Sequence, residues 1–135
     1  AAMKQLLAEM SGELQALAAS DPATSVTRKA ALEAVGLLKD STDALLKAIA
    51  LRPDAAMAIS VPYLMLSGYV IGGWLMARAS SIAASRLADQ DKAFYESKLR
   101  TARFYAQQVL PNAIALARVV QSGAESVIET DAALI

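Results

Sequence analysis

Glu9 and Glu13 stand four residues apart, one turn of a helix, and two carboxylates at that spacing could hold a metal ion or act as an acid and a base. The rest of the chain gives them no support. Histidine and cysteine are both absent, which removes the commonest general base near neutral pH, the thiolate nucleophile and the soft metal ligands. A Ser-His-Asp triad or a Glu-x-x-His di-iron site cannot be assembled from these residues. The other carboxylates, Asp40, Asp43, Glu96, Glu125 and Glu129, fall at polar positions and read as solvated surface. Gly72 and Gly73 lie inside a helical pattern and follow no strand, so they are not a phosphate-cradling loop. Lys98, Arg100 and Arg103 form a small basic cluster, either a solvated face or a contact for another domain or an anion. No catalytic, cofactor-binding or metal-ligating residue is expected. With 13 basic and 13 acidic residues, the chain has no electrostatic footprint for nucleic acid.

The elements that would carry these residues are helices. The hydrophobic fraction is 56% and the aromatic fraction 5%, and alanine, the best helix former, fills the difference. Met3, Leu7, Met10, Leu14 and Leu17 recur at 4-3 spacing over about 2–19, and Ser20-Asp21-Pro22 ends that segment. Ala31, Val35, Leu38, Thr42, Leu45 and Ile49 do the same over about 24–51. Arg52-Pro53-Asp54 closes it, with Asp54 placed to cap a third helix over about 54–87. A fourth runs over about 91–122, capped by Asp89 or Asp91, with Tyr95, Leu99, Ala102, Ala106, Val109, Ala113, Leu116 and Val120 in one stripe. Gly123 is a natural stop, and residues 124–135 read as an irregular or short helical tail. Such spacing with short connections implies one domain over 1–135, an all-α up-down-up-down four-helix bundle with long third and fourth helices.

Residues 55–77 carry no charge, and roughly 20 apolar residues can cross a bilayer as a helix. Pro62, Ser60, Ser67 and three glycines dilute the run, however. Tyr63, Tyr69 and Trp74 lie within it, not in belts at its ends, and arginines flank both sides. The expectation is a buried helix of a soluble bundle, with Met57, Met65 and Met76 filling its core. Pro62 should kink this helix, and Pro111 should loosen the fourth near Gln107. Gly68, Gly72 and Gly73 permit close backbone approach, either within the chain or at a seam with another subunit or domain. With Tyr63, Trp74, Arg100 and Arg103 they make up the expected interface.

Two stretches, 62–79 (PYLMLSGYVIGGWLMARA) and 94–128 (FYESKLRTARFYAQQVLPNAIALARVVQSGAESVI), resemble the extra C-terminal domain of a subgroup of acyl-CoA dehydrogenases, those similar to methylthiopropanoyl-CoA dehydrogenase. The resemblance is most specific over Gly72 to Leu75, Thr101 to Tyr105 and Val109 to Pro111, and covers about half the chain. It implies a C-terminal piece of a longer FAD-dependent oxidoreductase that forms an α,β double bond in an acyl-CoA. Flavin, acyl-CoA pocket and catalytic carboxylate would belong to upstream domains, so no catalytic residue carries over, and this piece alone would be inactive. The expected partners are those upstream domains and further copies of the chain, with neither nucleic acid nor membrane. No signal-type leader opens at Ala1, and a cytoplasmic location is expected. A free-standing helical interaction module, or a membrane-associated one, is the alternative.

Overall fold

The computed structural model describes residues 2–123 and Ser126, with the backbone alone at Ala55; most of the expected tail, with Glu125 and Glu129, lies outside the described residues. All elements among the described residues are helical: α1 (Ala2–Ala16), α2 (Pro22–Leu51), α3 (Ala55–Ser85), α4 (Lys92–Phe104), a π-helical segment (Tyr105–Val109) and α5 (Asn112–Ser122).

Local chemistry explains most of the boundaries. Asp21, anticipated only as part of a turn, is the N-cap of α2: its Oδ2 accepts from the Thr24 N–H at 2.9 Å. Pro22 follows at the first helical position, where its missing N–H is harmless, so α2 begins two residues earlier than the pattern suggests. α1 is shorter than expected. The last carbonyls of its final turn are taken by Arg28, which donates Nε to Leu14 O at 2.7 Å and Nη2 to Gln15 O at 3.2 Å, and a cation there also suits the helix dipole. The expected cap at Asp54 is not made. Its carboxylate instead accepts from Arg52 at 2.9 Å, two residues away across Pro53. Asp91 stands at the start of α4, also without a side-chain cap bond.

The expected long fourth helix is interrupted. Pro111 has no N–H to give the Gln107 carbonyl, so the chain widens before it: Leu110 N donates to Tyr105 O, five residues back, at 2.8 Å. The turn is then rebuilt by Ala113 N to Leu110 O at 2.9 Å. Leu110, not Val109, consequently enters the core, followed by Ala113, Ala117 and Val120. α5 ends at Gly123, whose φ of 79° is the left-handed conformation that favours glycine at a helix end. Pro62, by contrast, sits inside α3 without interrupting it.

α2 and α3 run in opposite directions. Thr24 near the start of α2 meets Ser80 near the end of α3, Oγ to Oγ at 2.7 Å with both residues fully buried, and Thr42 meets the Tyr63 hydroxyl at 2.8 Å. The core between them takes Leu7, Met10 and Leu14 from α1, Ala31, Val35 and Leu38 from α2, Leu66 and Val70 from α3, and Leu110 and Ala113 beyond the π segment. The uncharged run, expected as a buried helix, is buried along one side only. α3 is long and apolar enough to cross a membrane by length and composition, yet only 28% of its most apolar stretch is buried. Ile59, Leu66, Val70, Gly73, Ala77 and Ser80 face inward, and the opposite side is exposed.

Candidate functional site

The inward face of α3 explains two of its three glycines. A Cβ built on Gly72 would lie against the hydroxyl of Tyr105 and 2.9 Å from its Cζ. Tyr105 uses that space to donate its hydroxyl to Tyr69 O at 2.8 Å, and burial holds its phenol above the ordinary 10.0, with Tyr69 adding to the effect. At Gly73 a Cβ would come within 3.0 Å of Leu110 Cδ2. Both glycines are thus occupied by the chain's own π segment and its end.

Trp74 and Tyr63 are also engaged within the chain. Glu13 accepts from Trp74 Nε1 at 3.1 Å and from Arg78 at 2.5 and 2.8 Å, while the Arg78 guanidinium lies 4.6 Å from the Trp74 ring centroid. The Arg78 hydrogen bonds hold the Glu13 carboxyl below its ordinary 4.5, partial burial opposing them. A carboxylate saturated by donors and lowered in pKa is a poor proton acceptor. Its geometry makes it a clamp between α1 and α3. Among the described residues, no three acidic groups come close enough to hold a metal ion.

Arg100 and Arg103 point into solvent on α4, Arg100 with Glu96 at 4.0 Å. No hydrogen bond or ion pair among the described residues joins them to the glycine segment. Of the three glycines, Gly68 alone opens outward: no atom lies within 4 Å of a Cβ built there. A shallow groove of about 400 Å³ beside it is lined by Met65, Tyr69 and Tyr105.

Gly68 belongs to a larger feature that sequence reasoning missed. Met57, Val61, Leu64, Leu75 and Ile82 on the same side are 81%, 63%, 72%, 46% and 48% exposed. With Gly68 and the half-buried Ile71 and Arg78 they recur at 57, 61, 64, 68, 71, 75, 78 and 82. At about 100° per residue, this series lies diametrically across the helix from the inner one. α3 therefore carries two apolar stripes, one used by its own fold and one facing water. An exposed apolar strip of this kind is a candidate interaction surface. The signal was present as two interleaved 4-3 series, hidden because both are apolar.

Among the described residues the chain is helical throughout, with one side of α3 apolar and largely exposed. Residues 3–131 match the family described as acetyl-CoA dehydrogenase C-terminal like, and the chain belongs to that family. It is 36% identical over 109 residues to the 3-methylmercaptopropionyl-CoA dehydrogenase of Ruegeria pomeroyi, covering 78% of this chain and 18% of that protein. It is 32% identical over 78 residues to the broad-specificity linear acyl-CoA dehydrogenase FadE5 of Mycobacterium tuberculosis, covering 55% of this chain and 13% of that protein. The chain thus matches less than a fifth of the length of either curated relative.

Proposed function

We propose that the chain is the accessory C-terminal domain of a longer FAD-dependent acyl-CoA dehydrogenase, an up-down-up-down four-helix bundle over 1–135 with no chemistry of its own. It packs on the catalytic core or at a subunit interface of a cytoplasmic homo-oligomer. The observation that carries this reading is the outward stripe of α3, an apolar strip exposed among the described residues, in a family named for the C-terminal region of such enzymes. Burial of such a strip is favourable by roughly 25 cal/mol per Å².

The alternating course of the helices is supported by Thr24 with Ser80 and Arg28 with Leu14 O, which join antiparallel neighbours, and by Gln121 reaching Ser41 at 3.2 Å, which sets α5 parallel to α2. The flavin is assigned to upstream domains of the parent enzyme. The Gly72-Gly73 pair lies in mid-helix, where its N–H groups belong to the helix and cannot cradle a pyrophosphate. The test is to produce the upstream catalytic region and this chain separately and mix them. They should co-elute, and the chain alone should oxidise no acyl-CoA. Dehydrogenase activity in the chain alone, or a catalytic region that neither binds it nor changes with it, would overturn the reading. The length and apolarity of α3 favour a second reading, attachment to a bilayer, which sedimentation with phospholipid vesicles tests.

A further inference from the structure

We infer that the outward stripe of α3 is a self-complementary seam that pairs antiparallel with α3 of a second copy; this names the occupant of the face proposed above and rests on that reading for its place at a subunit interface. A 4-3 repeat on a free helix face fits a partner helix, whose side chains enter the holes of the repeat. Here the steps from 57 to 82 are 4-3-4-3-4-3-4, a spacing that reads the same in both directions. Two copies laid antiparallel about the point between Tyr69 and Val70 therefore place every seam residue opposite another.

The pairs match in size and chemistry. Gly68, with open space where a Cβ would be, receives the partner's Ile71. Leu64 meets the partner's Leu75, and Met57 meets the partner's Ile82, all of them exposed apolar side chains in the single chain. Val61 meets the partner's Arg78, whose guanidinium is already held by Glu13 and Trp74, leaving its aliphatic stem to the seam.

The flanks argue for a like partner. In paired helices the positions beside the seam choose the partner by charge. Here they are Ala58, Met65, Gly72 and Ala79 on one side and Ser60, Ser67, Trp74 and Ser81 on the other, none of them charged. A helix with the usual charged flanks would leave those charges without counterparts along this face, whereas a second α3 brings none. Symmetry then uses every contact twice.

The chain contains no cysteine, so introduced ones report without background. Leu64→Cys and Leu75→Cys, both at exposed positions, are purified separately, checked for native helix content, and oxidised alone and mixed. A covalent dimer should form in the mixture and be at least tenfold scarcer in either variant alone, because 64 lies opposite 75 and not opposite 64. The unmodified chain should sediment as a dimer at micromolar concentration, and Leu64→Asp as a monomer. A chain that stays monomeric to about 100 μM, or self-linking of Leu64→Cys at the rate of the mixture, overturns the inference. Binding to the upstream catalytic region is measured in parallel. Binding by a monomeric chain leaves the accessory reading standing and removes the seam; a cross-linking seam without that binding does the reverse.

Discussion

Gly72→Ala is the sharpest perturbation of the bundle, because two opposed terms can be compared within one set of substitutions. In a helix interior alanine is favoured over glycine by about 1 kcal/mol. At Gly36 of α2 nothing lies within 4 Å of the new methyl, so Gly36→Ala should collect that gain. At Gly72 the methyl takes the place of the Tyr105 hydroxyl, with Cζ at 2.9 Å, and the ring must swing out. The bond to Tyr69 O is then lost, about 1 kcal/mol, together with part of the ring's burial, about 1–2 kcal/mol. The net effect is destabilisation by about 1–2 kcal/mol, which separates the two variants by about 2–3 kcal/mol. Gly73→Ala, facing the mobile end of Leu110 at 3.0 Å, should fall between them. Urea unfolding followed by far-ultraviolet circular dichroism measures all three, and heating should give Tm shifts of about 4 °C per kcal/mol for a chain of this size. Gly72→Ala as stable as Gly36→Ala would refute the packing argument.

Lowering of the Glu13 pKa makes stability depend on acid. The contribution is complete above the carboxyl's ordinary 4.5 and is lost as pH falls through the lower folded-state value. Glu13→Gln should therefore flatten the acid limb of a stability-against-pH curve below 4.5, and an unchanged limb counts against the clamp. Tyr105 acts at the other end. Its raised pKa means the stability it brings is present below 10.0 and lost as pH rises through the folded-state value, so absorbance titration should find one tyrosine ionising late, and Tyr105→Phe should remove it. Thr24→Val or Ser80→Ala each strands a fully buried hydroxyl at a cost of about 1–3 kcal/mol. The double variant should be more stable than the sum of the two predicts, and strict additivity in unfolding experiments would show that the pair is not coupled.

The helices were legible because their inner stripes are regular: Leu7, Met10 and Leu14, then Ala31, Val35 and Leu38, are buried as their spacing requires. Pro111 was legible as the point of disturbance near Gln107, but not as a full break, since a lone proline can be absorbed, as Pro62 is. Caps were read less well. Asp21 and Asp54 both adjoin a proline at the edge of a helix, and only the three-dimensional course shows that the first reaches an amide while the second turns back to Arg52. The surroundings of the glycines were half legible. Gly68, Gly72 and Gly73 have one composition and three environments, and which side of α3 faces the rest of the bundle is decided by α2, α4, the π segment and α5. The outer stripe escaped because an all-apolar segment has no polar side to orient it.

The central claim is that this bundle serves a flavin enzyme and does no chemistry itself. Its most direct test is the intact mass and visible absorbance of the gene's natural product, purified from its source cells. The account predicts a chain several times longer than 135 residues, carrying flavin and ending in this bundle. A flavin-free product of 14.2 kDa would contradict it.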